Sequence, residues 1–338
     1  MRTPPSARPE PATRTLTAAP ALTPLLARGA LLSPFKRPRP HAPAPPGRLV
    51  LPGVRVDLAR LAAYERVCGF ATGQEVLPVT YPHVLAFPLA MRIMAGRDFP
   101  LPLPGLVHTS ITITQYAAPA VNAAYDLAVR VEGLAPHRRG TEATVLTEAR
   151  TADGLVWASR STYLARHPAR PPAPPRGGPA STPADTARGP AADGPHPLAA
   201  GAAEPAAPDP RGPLPPLAEW RLGRDVGRRY GAVSGDRNPI HLHPLTARLF
   251  GFPRAVAHGM WTVARCLAEF GPQGAVEVRA DFRAPVLLPG TVTYAAQGLA
   301  FALRSGGRVH LTGHVRPLPV RAADAGGAAD GAPDPTAP

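Results

Sequence analysis

The sequence predicts an α+β fold with antiparallel sheet, built twice along one chain. Three observations carry that reading. Both halves place an apolar segment with helical spacing ahead of several strand-like runs. A four-residue echo, Tyr116-Ala117-Ala118-Pro119 against Phe282-Arg283-Ala284-Pro285, sets the copies in register at an offset of 166. The prolines separate them: of 48, 12 lie in residues 1–50 and 14 in residues 168–213. Each stretch between is long enough to bury a core.

In chain order, residues 1–20 read as disordered. Within 22–32, Leu22, Leu25, Leu26 and Leu32 suggest a short amphipathic helix, and the basic residues around Lys36 would suit its C-terminal end. Leu58–Val67 is helical in pattern. Pro82–Gly96 reads as a longer apolar helix with Pro82 at its start and Val84, Phe87, Met91 and Met94 at helical spacing; Pro88 is expected to kink or divide it. Strand-like runs follow at Leu106–Tyr116, where Ile111 and Ile113 alternate with Thr112 and Thr114, and then at Ala124–Glu132, Ala143–Ala149 and Leu155–Leu164. The second half repeats the order. Ala257–Phe270 is a helix with Met260, Val263, Leu267 and Phe270 on one face, and strands follow at Ala275–Phe282, Val292–Leu299 and Arg308–Arg316. The expected division is a largely disordered segment 1–49 with a short helix, a domain 50–167, a Pro/Ala/Gly-rich linker 168–213, a second domain 214–318 and a disordered tail 319–338.

The net charge of +14 is uneven: residues 1–50 carry eight basic against one acidic side chain, and residues 212–318 carry thirteen against six. Lys36 is the only lysine, so the Arg, Ala and Pro usage looks like nucleotide-composition bias as much as selection for a basic surface. Scattered basic residues without interleaved aromatics do not make a nucleic-acid reader, whereas the basic second half fits an anionic small ligand such as a nucleotide-bearing carrier. Cys68 and Cys266 stand far apart, with no disulfide framework, and a reducing cytoplasm is expected. No run of about eighteen apolar residues is present, and Leu16–Leu32 is broken by Pro20, Pro24 and Arg28, so neither a membrane span nor a signal peptide is expected.

Chemistry concentrates in Tyr230-Gly-Ala-Val-Ser234-Gly235-Asp236-Arg237-Asn238-Pro239-Ile240-His241. Gly235 and Asn238-Pro239 mark a turn or irregular loop, where polar groups can converge. Asp236 and His241 can hold a water between them and exchange a proton near neutral pH, with Asn238 supporting the carboxylate. An Asx-turn, a helix cap and a surface imidazole would use the same residues. Gly259 opens the second-half helix, where a bare N–H suits an oxyanion site; a small residue at a helix–sheet contact would look alike. Ser234 is out of register for a Gly-x-Ser-x-Gly elbow. Asp236, His241 and His243 could face one metal, but no further ligand set accompanies them, and none is expected.

The run from Tyr230 to Ala247 resembles the MaoC-like, or hydratase 2, signature at Tyr230, Val233, Ser234, Gly235, Asp236, Asn238, Pro239, Ile240, His241 and Ala247, with Gly251-Phe252 and Ala257-His258-Gly259-Met260 continuing the likeness. Tyr81 to Pro88 resembles the non-catalytic half of double-length members. The resemblance implies a double hot-dog fold, two antiparallel sheets each wrapped on a central helix. It implies reversible hydration of trans-2-enoyl thioesters of CoA or acyl carrier protein to (3R)-3-hydroxyacyl thioesters, without cofactor or metal. Asp236 and His241 would be the acid/base pair, Asn238 their support and the Gly259 N–H the oxyanion donor, while Tyr230, Ser234, Phe87, Met91 and Met94 would form the substrate pocket. His243 replaces an acidic residue found in many relatives. The first half lacks the motif and is expected to act as a built-in dimer partner, with a homodimer of whole chains as a further expectation. A non-catalytic thioester-binding or partner subunit is the alternative reading.

Overall fold

The computed structural model describes residues 12–38, 42–167 and 214–319; the linker read over 168–213 and the tail beyond 319 lie outside them. The first half contains β1 (Thr13–Thr15), α1 (Leu22–Leu32), β2 (Arg48–Arg55), α2 (Leu58–Cys68), α3 (Tyr81–Met94), β3 (Val107–Gln115), β4 (Ala124–His137), β5 (Gly140–Thr151) and β6 (Gly154–Arg166). The second contains β7 (Pro216–Leu222), α4 (Val226–Ser234), α5 (Pro239–Leu242), α6 (Pro244–Leu249), β8 (Ala255–Val256), α7 (Gly259–Phe270), β9 (Val276–Phe282), β10 (Leu287–Leu288), β11 (Gly290–Gln297), β12 (Ala300–Ser305) and β13 (Arg308–Pro317). Each half lays antiparallel strands against one apolar helix, α3 or α7, in the double hot-dog arrangement.

Period-two alternation builds β3: Ile111 and Ile113 are fully buried, while Thr112 and Thr114 are only half-buried. The helix α3 runs through Pro88 undivided. Pro88 removes one helical donor, but burial of Val84 and Phe87 before it and of Leu89, Met91 and Met94 after it offsets the loss. Trp157 of β6 is buried and donates its Nε1–H to the Val79 carbonyl at 2.7 Å, which ties the sheet to the approach of α3.

The sheets of the two halves meet edge to edge: among the described residues, all strands except β8 and β10 form one continuous eleven-stranded sheet, joined where β3 pairs antiparallel with β9. Each half offers the first strand after its core helix as an open edge, and pairing the two edges satisfies both rows of backbone groups. The pairs Thr112↔Arg279 and Ile113↔Val278 exchange under the 166-residue offset, which puts a pseudo-twofold axis between them. Two expectations are corrected. Not all of residues 1–20 are disordered: Thr13–Thr15 pairs in parallel with Arg48–Val50. Lys36 also serves a different helix from the one expected. Its Nζ donates to the Met94 carbonyl at 3.1 Å, capping α3 while pinning the N-terminal segment to it.

The first half also braces the loop that carries the chemistry. Arg60 Nε donates to the Val233 carbonyl at 2.7 Å, Trp261 Nε1 donates to the Val67 carbonyl at 2.9 Å, and the rings of Tyr64 and Tyr230 meet at 6.0 Å.

Candidate active site

The helix α4 ends at Ser234 because Gly235 turns left-handed, φ 82°, a conformation that costs glycine nothing. The chain then reverses. Ser234 Oγ accepts the Asp236 N–H at 3.2 Å, and Asp236 Oδ1 accepts the Asn238 N–H at 3.2 Å. Asn238 caps α5 through its own Oδ1, with Pro239 in the first helical position. One turn on, the buried His241 places Nδ1 2.7 Å from the Val256 carbonyl oxygen. A carbonyl only accepts, so Nδ1 carries the proton and Nε2 keeps its lone pair.

A second imidazole completes the group. His258 is the N-cap of α7, and its Nε2 donates to the Asp236 carbonyl oxygen at 2.8 Å. Its ring stacks on His241 with centroids 3.7 Å apart, and Tyr230 backs it at 4.9 Å. Burial pushes both imidazoles down from their usual value; the Asp236 carboxylate opposes this for His241, and His241 itself reinforces it for His258. Both therefore rest neutral. Beside them α7 begins at Gly259, whose N–H has no acceptor within its own helix. Residue 259 must stay small, because a methyl group there would stand 2.9 Å from the Phe282 ring.

These groups open on one cavity of about 900 Å³. Asp236, Asn238, His241, His258 and Gly259 line it from the second half, and Phe87, Met91 and Met94 line it from α3. Leu26, Ala27 and Ala30 of α1 close the apolar part, while Arg138, Arg139, Arg166, Arg237 and Arg283 are exposed on its polar side.

Several sequence-predicted residues take other places. Tyr230 and Ser234 do not line the cavity: the Tyr230 ring supports His258 from behind, and Ser234 is buried with its Oγ donating to the Tyr230 carbonyl. Asn238 supports Asp236 through its backbone N–H, while its Oδ1 caps α5. His243 is exposed and caps α6, accepting from Leu245 N–H at 3.2 Å, so it does not join Asp236 and His241 around a cation. His258 takes that third position instead: Asp236, His241 and His258 each offer one ligand atom, all within 4.8 Å of one another. Each imidazole holds one ring N–H on a backbone carbonyl, the arrangement of a hydrogen-bonded acid/base cluster. Sequence reasoning missed His258, although its place just before the helix opening was a usable signal. It also missed His83 and His108, which reach the cavity from the first half.

Residues 216–304 match the family model described as a MaoC like domain, and the chain belongs to this MaoC-like family. The relative that establishes this is 3-hydroxyacyl-thioester dehydratase X of Mycobacterium tuberculosis, 36% identical over 273 residues that span 78% of this chain and 86% of that protein. The crystal structure of HtdX from Mycobacterium tuberculosis superposes with a TM-score of 0.64 at 34% identity, covering 80% of this chain and all of the other. A MaoC-like dehydratase from Phytophthora capsici shares the fold at 14% identity, with a TM-score of 0.56 over 83% of this chain and 97% of its own. No helix among the described residues is long and apolar enough to cross a membrane.

Proposed function

We infer that the protein is a hydro-lyase that interconverts trans-2-enoyl thioesters and (3R)-3-hydroxyacyl thioesters. One observation carries this reading: the His241 ring, the Asp236 carboxylate and the start of α7 at Gly259 face a single cavity with an apolar extension. The Gly259 N–H, reinforced by the helix dipole, draws electron density onto the thioester carbonyl oxygen and leaves C3 electrophilic. Water held between Asp236 and His241 adds its oxygen to C3. The proton it gives up is taken by the pair, which returns one to C2, so the atoms of water and enoyl thioester balance. Dehydration is the same path reversed. His241 suits the task because burial keeps it neutral and its Nδ1–H bond to Val256 leaves Nε2 basic.

The first half supplies cavity wall and bracing, and the chain provides its own second hot-dog module. The carrier is CoA or acyl carrier protein, with the exposed arginines on the cavity's polar side suited to its phosphates. Two buried free thiols suit a reducing cytoplasm. The test is the change in enoyl absorbance with crotonyl-CoA, longer enoyl-CoA and acyl-carrier-protein thioesters, in both directions. Silence across that panel overturns the reading, and binding without turnover marks a thioester-holding module instead.

A further inference from the structure

Within the cavity, two imidazoles of the first half have no place in the chemistry above. His83 lies one turn before Phe87 on α3, on the stripe that continues through Met91 and Met94, and is only 8% exposed. His108 lies on β3, and its ring faces that of His83 at 6.2 Å and 13°. His108 also stacks on Tyr163 at 4.5 Å and leans on Phe282 at 4.8 Å, the ring that packs on Gly259. The pair thus sits between the reaction centre and the apolar wall. His83 Nδ1 and His108 Nε2 are both buried without a hydrogen-bond partner. A buried polar atom left unpaired is destabilising, so two of them on one cavity wall are matched to a group that enters with the substrate.

We propose that His83 and His108 form a recognition site for an uncharged oxygen, a hydroxyl or keto group, carried on the acyl chain a few carbons beyond C3. The inference rests on the hydro-lyase reading and narrows its substrate class from plain to oxygenated acyl chains. Burial holds His83 at about 4 and His108 at about 3, so both rings are neutral near pH 7. A neutral imidazole presents one donor and one acceptor, which suits a hydroxyl or carbonyl, and it brings no positive charge to a carboxylate. A plain alkyl chain would leave both nitrogens unpaired, and a site built to hydrogen-bond discriminates strongly against the analogue that lacks the partner. Phe87, Met91 and Met94 then take the apolar remainder.

The experiment compares kcat/KM for trans-2-octenoyl-CoA with its 5-, 6- and 7-hydroxy analogues, using the full-length wild type, His83→Phe and His108→Phe. Phenylalanine keeps the flat ring and its stacking. Should either Phe variant fold poorly, His83→Gln and His108→Gln serve as replacements that keep a hydrogen bond. The wild type is expected to prefer one hydroxylated analogue by about tenfold or more, and each Phe variant to lose that preference while still hydrating octenoyl-CoA. The Gln variants are expected to retain part of it. Equal rates on plain and hydroxylated chains in the wild type overturn the proposal, as do Phe variants that slow every substrate alike. Failure of the wild type on every member, octenoyl-CoA included, overturns the hydro-lyase reading instead.

Discussion

His241 and His258 lie ring on ring, 3.7 Å apart at 27°, and each gives one N–H to a backbone carbonyl: His241 to Val256 and His258 to Asp236. The two bonds set both tautomers. His258 also holds the peptide of Asp236, so the carboxylate and the basic Nε2 of His241 are positioned through one neighbour.

Asp236→Asn and His241→Ala should each lower kcat by several orders of magnitude, since each removes a proton-transfer group. Their stabilities should differ. Asp236 is 30% exposed and tolerates an amide, whereas His241 is buried and ties α5 to β8. A urea titration of both variants checks this: the His241 variant should lose about 1–3 kcal/mol and the Asp236 variant little.

His258→Phe keeps the stack and removes the bond to the Asp236 carbonyl. Steady-state kinetics should show kcat reduced roughly 10- to 100-fold with KM nearly unchanged, because the change acts on the position of Asp236. A rise in KM at constant kcat would contradict this.

Gly259→Ala retains the N–H, so a loss of activity would come from steric displacement. The added methyl would press on Phe282 and push the start of α7 away from the carbonyl. A drop of about 10²-fold is expected, with partial recovery in Gly259→Ala/Phe282→Leu. Full activity in the single variant would show that the helix start is not held by that contact.

Acid should destabilise the fold before the carboxylates titrate. Burial holds His83, His108, His241 and His258 below the 6.5 of free imidazole. As pH falls through 6.5 the unfolded chain binds protons on these groups and the native chain does not, so stability declines with falling pH. For His83 the decline continues to about 4 and for His108 to about 3. Each group contributes up to about 1.4 kcal/mol per pH unit. Urea midpoints measured between pH 8 and pH 5 should fall steadily below about 6.5, and a flat profile would count against buried neutral imidazoles.

Met91→Trp should obstruct the apolar part of the cavity. Activity on long enoyl chains should fall while crotonyl-CoA turnover is spared. Equal losses on both would mean that Met91 serves only core packing.

Local pattern was enough for much of this architecture. Alternation located β3, a strand-like run located β9, the apolar stripes located α3 and α7, and Gly235 with Asn238-Pro239 located the reversal at Asp236. What local pattern lacked was pairing between distant segments. The strand Thr13–Thr15 is too short to show alternation and exists only because Arg48–Val50 lies beside it. The join of β3 to β9 depends on two edges meeting, which neither strand records alone. Nothing in the sequence around His83 and His108 marks them as site residues, and only folding brings them onto the cavity that Asp236 also lines. Asn238 was placed in the right loop, and the structure supplies the atoms: its backbone N–H holds the Asp236 carboxylate while its Oδ1 caps α5.

The seam between β3 and β9 also sets a schedule for the chain as it is made. Ile113 leaves the ribosome well before its partner Val278 exists. At ~5–20 residues per second, the delay is roughly ten to thirty seconds. During that interval the first module can close its own sheet through β2, β4, β5 and β6 while β3 remains a bare edge. Two nascent chains on one messenger would each present the same edge, and pairing between them would use the backbone groups meant for β9. Slow synthesis of the second half should therefore raise the yield of misjoined oligomers, and fast synthesis should suppress it.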